Sequence, residues 1–463
     1  MEFDAEHNAS PPREPAESWL EEVWAPVLCG ARDLLAVPCA HAPQERWLSA
    51  AAGGAAIAVR FPRRTPRAVR KAWRAAVAAR GLRCERFVVL RTAEGGFALL
   101  PADSAGAFRA GMHLLPTPTI GRRRAAEALE AAASVGLVRW LGLAETWLIS
   151  PEDFRPREGR IVLVAGPPGL ERILDAHVID EHEAASGRTR IACGPAGAAR
   201  LAGEARALRA TEPLDLRTAR IPRVIAVDPD GRWLVTTPLL GEPAPRGLLP
   251  PHEDFLAELD ARTGSSSPLC ELRSFRAACD RITWLERVAR SEDTRRLGLL
   301  RDLAQERLRD TVVRAGFAHG RLSPESTLLC PDGVLGVVDW ADARSDAVRG
   351  HDAMAFVTSV EALSRRPDAV GLHARLHSLG AGGRAGLAPF LLDFGSREAE
   401  RRWRRAGSTS AAAASRASMG ALLAALSDLE REWLTNRPSR SGIDGGVRGS
   451  VPGSFPSPRR RAA

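Results

Sequence analysis

Apolar residues along the chain keep two rhythms, and the changes between them predict the elements. Trp19, Leu20, Val23, Trp24 and Val27 recur at helical spacing over 18–35, and Ala72, Trp73, Ala76 and Val77 do so within the Arg- and Ala-rich stretch 66–82. Short apolar runs at 55–59, 87–90 and 97–101 read as strands, with Gly95-Gly96 turning before the last. A further helix is predicted over 120–135. Together these predict a small α+β domain at 18–150, and no catalytic constellation stands out in it.

From 160 onward the strands come closer together. Runs at 160–164, 173–179 and 189–193 read as strands. Gly166-Pro167-Pro168-Gly169 turns between the first two, and 184–187 turns between the next two. A helix at 201–209 carries Glu204, and 221–227 pairs with 233–237. Helices are then predicted at 255–262, 274–290 and 294–315, with 264–268 as a linker. The stretch 316–340 follows, GFAHGRLSPESTLLCPDGVLGVVDW. It has a tight turn at His319-Gly320, a polar loop, and two apolar runs about Pro331-Asp332-Gly333. Two such runs around a Pro-Asp-Gly turn predict a hairpin, which holds the loop before it near the acid after it. A helix opens after Gly350, and a last one is predicted over 411–434. The flanks 1–17 and 435–463 read as a disordered leader and a disordered basic tail.

Composition narrows the function classes. No run of about 18 apolar residues occurs, so no membrane span is expected. The first residues lack the basic and apolar regions of a signal peptide, and a cytoplasmic location is the expectation. The seven cysteines are scattered without a C-x-x-C pair, which argues against zinc and disulfides. A net charge of +9 raises acidic ligands or nucleic acid as partners. The excess sits partly in clusters such as Arg122-Arg123-Arg124 and Arg459-Arg460-Arg461, with no recognition motif beside them. A nucleic-acid-associated basic protein is therefore the least favoured class. Lys71 is the only lysine among 65 basic residues, and asparagine occurs only at Asn8 and Asn436. Neither residue type exists between 150 and 400.

The 316–340 stretch resembles the catalytic segment of the aminoglycoside phosphotransferase and choline kinase-like family, which reads HGD-L-x-x-x-N, a hairpin, then I-D-W. His319, Gly320, Leu322, Pro324 and Asp339-Trp340 match. Arg321 stands at the Asp position and Ser326 at the Asn position. The resemblance covers about 160–360. It implies a two-lobed protein kinase-like domain after the small α+β domain, with an N-lobe at 151–242 and a helical C-lobe at 243–434. ATP and Mg²⁺ enter as cofactors only through this resemblance.

In such sites the loop Asp accepts the proton of the acceptor hydroxyl, and the Asn and the later Asp hold the metal. The resemblance makes Asp339 the metal position and His319 a packing and hydrogen-bonding residue. It puts the phosphate-binding lysine of the third strand at Ala192, with Glu204 as its helix partner. Glu204 equally reads as a solvated helix glutamate. Asp352 reads as an acceptor for the loop backbone or as an ordinary helix-end acid.

With Arg321, Ser326 and Ala192 at three chemical positions, the favoured reading is a catalytically degenerate, pseudokinase-like protein that binds a ligand or partner. In that reading Arg321 pairs with Asp339. The alternative is an active ATP-dependent phosphotransferase to an alcohol acceptor. Its groups would be relocated: Arg190 on the phosphates, Ser326 as a second metal ligand, and Asp342 or Asp346 as base. Substrate and partner stay open.

Overall fold

In the computed structural model, residues 34–37 and 43–404 are described, with interruptions at 54, 64, 92–95, 115–126, 134–142, 151–158, 167–168, 170, 183, 290, 363–368 and 380–383. The expected leader, the basic tail, the 411–434 helix, most of the 18–35 and 120–135 helices, and the two prolines of the 166–169 turn lie outside the described residues.

The fold is α+β, as the pattern predicts. Its first part runs β1 (Leu34–Val37), α1 (Glu45–Ala52), β2 (Ala56–Phe61), α2 (Arg67–Ala78), β3 (Arg83–Arg91), β4 (Phe97–Pro101), α3 (Ala105–His113) and β5 (Glu145–Ser150). β6 (Arg160–Ala165), β7 (Ile173–Ile179), β8 (Ala185–Ala192), α4 (Pro195–Thr211), β9 (Ala219–Arg220), β10 (Val224–Val227) and β11 (Trp233–Thr236) follow. One ten-stranded sheet joins both parts in the order β1-β2-β5-β3-β4-β6-β7-β8-β11-β10. β4 and β6 are its internal seam, antiparallel with Phe97 opposite Ala165 and Leu99 opposite Leu163. The sheet thus runs unbroken across the expected boundary at 150. One apolar cluster follows it across, from Ala58 and Phe87 through Leu99 and Leu163 to Leu174 and Ile191. On α1–α3, Leu48, Trp73, Val77, Phe108 and Met112 pack into two further clusters with strand residues.

The second half contains β12 (Glu242–Pro243), α5 (Pro250–Thr263), β13 (Ser265–Pro268), α6 (Arg273–Val288), α7 (Glu292–Leu308), β14 (Val312–Ala318), β15 (Thr327–Leu329), β16 (Leu335–Val337), β17 (Arg344–Val348), α8 (His351–Ala362), α9 (Ala369–Leu379) and α10 (Arg384–Arg404). β15 and β16 form the expected hairpin, with Thr327 opposite Val337. Three expectations are corrected. The 294–315 helix ends at Leu308, and Val312–Ala318 is a strand between β13 and β17. Val313 and Ala315 point inward there while Val312 and Arg314 point out, which is a strand's period of two. The 264–268 linker supplies the edge strand β13, and residues 185–187 belong to β8 rather than to a turn.

No helix among the described residues is long and apolar enough to cross a membrane. A core at the junction of the two halves carries the site. Leu201, Ala205 and Leu208 of α4 meet Leu234 from the sheet, and Phe255, Leu322, Leu335, Val337, Trp340 and Phe356 from the helical half. α4 begins at Gly194 with Pro195 in its first turn, where the missing N–H costs nothing. Its apolar residues at 201, 205 and 208 are a helix stripe. The adjoining face of the helix carries Arg200 and Glu204.

Candidate functional site

The loop at 319–326 is held by its backbone. The His319 N–H donates to Asp352 Oδ2 at 2.6 Å and the Gly320 N–H donates to Oδ1 at 2.8 Å. Asp352 is buried at the start of α8. Burial opposes its ionisation, but His351 and the loop donors hold its carboxyl below the usual range. Asp352 therefore anchors the loop. Gly320 has φ +80, and a Cβ there would overlap the Asp342 carbonyl oxygen, so only glycine fits.

His319 is a structural member of this loop. Its Nδ1 accepts from the Arg321 N–H at 3.4 Å, which leaves the ring proton on Nε2, donated to the Val338 carbonyl at 2.9 Å. Its ring meets Trp340 edge-on at 4.9 Å, and the Trp340 Nε1–H donates to the Val337 carbonyl at 3.0 Å. These contacts lock the end of the hairpin that presents Asp339. Asp339 sits in the left-handed region at φ 65, unusual for a residue with a side chain and a feature found at functional sites.

Asp339 is surrounded by arginine. The Arg200 Nη2 lies 3.1 Å from Oδ2 and 3.3 Å from Oδ1, and the Arg190 Nη1 lies 3.3 Å from Oδ1. Arg190 reaches from β8 and Arg200 from α4, so both halves of the molecule meet on one carboxylate. Burial alone would raise the Asp339 carboxyl; Arg200 and Arg190, with Arg321 and His319 beyond them, hold it far below the usual carboxylate range. Arg190 also ion-pairs with Glu204, and its Nε lies 3.2 Å from Asp175 Oδ1. One buried guanidinium thus bridges three acids. Burial opposes its charge, but Glu204, Asp175 and Asp339 raise its pKa well above the ordinary value.

The other expected positions fall as follows. Ala192 is a packing residue at the end of β8: its N–H donates to the Arg232 carbonyl at 2.8 Å, and it sits against Gly197 in the first turn of α4. The cation of this strand that meets Glu204 is Arg190, two residues earlier, because that position lies against the middle of α4. Glu204 is 2% exposed and ion-paired, so it is not a solvated helix residue.

The Ser326 hydroxyl is held within its own turn. It accepts from the Ser323 N–H at 2.9 Å and donates to the Ser323 carbonyl at 3.0 Å. Arg321 is half-buried, and its side chain makes no hydrogen bond or ion pair among the described residues. The expected Arg321–Asp339 pair is therefore absent; Arg190 and Arg200 already fill the carboxylate. Arg200 was not singled out from sequence. Its position four residues before Glu204 on one helix face was the available signal.

The acids considered as bases are engaged too. Asp342 lies 3.4 Å from Arg397 and 3.6 Å from Arg401. Asp346 caps α6, accepting from the backbone N–H groups of Arg273 and Ser274.

This arrangement does not fit a divalent cation at Asp339. Mg²⁺ takes near-octahedral oxygen ligands, and here the carboxylate holds two guanidinia while the Ser326 oxygen serves its own turn. Among the described residues no group of three or more His, Cys, Asp or Glu could hold a metal ion. Arg190 is likewise committed to three acids rather than free for a nucleotide phosphate.

No family model matches the chain, and no curated protein does. Solved structures similar to it include a thermostable mutant of the aminoglycoside phosphotransferase APH(4)-Ia in its apo form, at 12% identity and TM-score 0.40, covering 57% of this chain and 94% of that one. Choline kinase LicA from Streptococcus pneumoniae is similar at 12% identity and TM-score 0.36, covering 54% of this chain and 89% of that one. The streptomycin-ATP complex of APH(2")-IIa is similar at 12% identity and TM-score 0.33, with 60% and 92% covered. Values of this size leave the chemistry to be argued from the site itself.

Proposed function

We propose that this chain is a phosphotransferase-like protein that has lost phosphoryl transfer and acts by binding a ligand or partner at the junction of its two halves. The observation that supports this reading best is the state of Asp339. The acid at the metal position of the resemblance is neutralised from within by Arg190 and Arg200. Phosphoryl transfer relies on positioning and on metal-borne positive charge over the phosphates. Here the positive charge is fixed on the protein and compensated by the protein's own acids. The loop position that would receive the hydroxyl proton is a guanidinium, Arg321, which cannot act as a base near neutral pH. Asp342 and Asp346 are tied to arginines and to a helix start.

The test is transfer of the γ-phosphoryl group of ATP to aminoglycoside, choline and sugar acceptors with Mg²⁺ present. The expected result is no turnover above a no-protein blank. Turnover that disappears in Asp339→Ala would overturn the reading and favour an active kinase with relocated groups.

A further inference from the structure

We propose that the segment 411–434 lies as a helix on the apolar face of the ten-stranded sheet and straps that sheet to the helical half of the molecule.

The face crosses the sheet in two rows. Phe97, Ala165, Leu174 and Ile191 stand opposite one another along β4, β6, β7 and β8, and Leu99, Leu163 and Ala176 form the next row. All of them are buried, and Leu99, Leu163 and Leu174 are fully so. Side chains alternate across a strand, so the neighbours of these residues point the other way. There Leu100 and Val162 meet Phe108 and Met112 of α3, and Leu234 meets Leu201 of α4. Ile57 and Val59 meet Leu48 of α1 and Trp73 of α2 on that same side. The four helices α1–α4 therefore share one face of the sheet. On the other face, the apolar cluster draws among the described residues only on strands and on Cys193 just after β8. An apolar sheet face of this size is buried against a further layer. Among the described residues no helix supplies that layer.

The place where α10 ends points to the occupant. Its last residue is Arg404, whose Nη1 lies 3.3 Å from Glu171 Oε1, between β6 and β7. The next residue after Glu171 is Arg172, whose guanidinium lies over the Phe97 ring at 5.2 Å, at the rim of the same face. The chain therefore leaves the helical half beside the two apolar rows. Residues 405–410 can span about 20 Å when extended. Within 411–434, Met419, Leu422, Leu423, Leu426, Leu429 and Trp433 recur at helical spacing, and Asp428, Arg431 and Glu432 fall on the opposite side. The stripe from 419 to 433 is about 21 Å long as a helix. The five strands from β4 to β11 span about 19 Å. An apolar stripe of that length matches the rows it is to cover. Seated there, the helix continues α10 onto the sheet and limits how far the two halves can part at Asp339.

A photo-crosslinking amino acid placed at Leu426 of the full chain tests this, with the linked peptides identified by mass spectrometry. The expected result is linkage within one chain to β6 and β7, residues 160–179. The same group placed at Asp428, on the far side of the helix, should give few such links. Leu422→Asp combined with Leu426→Asp should uncover the sheet face, read as a severalfold rise in the fluorescence of a hydrophobic dye. Asp428→Ala should leave the dye signal unchanged. If the double variant does not fold, the crosslinks carry the test. Links from Leu426 to the exposed Trp284 on α6, links only between two copies of the chain, or no link to the sheet overturn the proposal. Links to 160–179 from a group placed at Val23, with none from Leu426, would give the face to the N-terminal segment and overturn it as well.

Discussion

Arg190 is the residue on which the site's electrostatics turn. It contacts Asp175, Glu204 and Asp339 at once, from a side chain 7% exposed. Removing it leaves three acids near one another with less compensation. Arg190→Met should therefore destabilise the fold by about 3 kcal/mol, the lower range for breaking a buried pair, since Asp339 and Asp175 keep some solvent contact. Denaturant unfolding measures this, and a loss below about 1 kcal/mol would show that the acids relax into water. Why the sequence pointed to Ala192 is physical. Residues 190 and 192 share a strand face, so alternation cannot choose between them. The choice depends on which one lies over the middle of α4, and that is set by the packing of Gly197 under Ala192. The occupation of Asp339 was hidden for a related reason, because Arg200 comes from a helix 139 residues away in sequence.

At the scale of elements, the loop–hairpin unit is the most legible part of the chain. Its turn residues and the apolar runs around them are local signals, and β15 and β16 pair as they predict. Gly320→Ala tests how tightly the loop is built. The substitution meets both a positive φ and the Asp342 carbonyl, so it should cost about 3 kcal/mol, read as a fall in thermal midpoint. β14 was illegible for the opposite reason. Its partners are β13 and β17, both remote in sequence, and Val312–Ala318 follows a helix with no proline to mark the break.

The start of α8 carries a pH signature. His351 is buried with Asp393 Oδ2 at 3.2 Å and Asp352 Oδ1 at 3.6 Å, and Asp393 also holds Arg397. Burial opposes its protonation, but the two acids raise its pKa from 6.5 to about 9. A group raised on folding stabilises fully below its unfolded pKa and loses that contribution as pH rises through the folded one. The thermal midpoint should therefore fall between pH 6.5 and about 9. His351→Gln should start lower and stay flatter across that window; an equally steep variant would contradict the assignment.

For the whole molecule, the consequential feature is the ten-stranded sheet. The pattern of predicted elements and the resemblance divide the chain at 150, but β4 and β6 hydrogen-bond across that point and share one apolar cluster. Local patterning shows strands and not their partners, so a seam between two strand-rich stretches leaves no mark in either. A chain beginning at 151 would expose the β6 edge and Leu163, which is fully buried in the whole protein. Such an edge pairs with other chains. The truncated protein should aggregate, whereas the full chain should unfold both parts in one transition. A soluble, cooperatively folding 151–404 fragment would show two independent units.

The proposed loss of phosphoryl transfer turns on the carboxylate of Asp339 being held by arginines rather than available to a metal. The most direct measurement is calorimetric titration of ATP into the full chain with and without Mg²⁺, repeated on Asp339→Ala. No Mg²⁺-dependent nucleotide binding is expected in either protein. Mg²⁺-dependent binding in the parent chain that is lost in Asp339→Ala would contradict it.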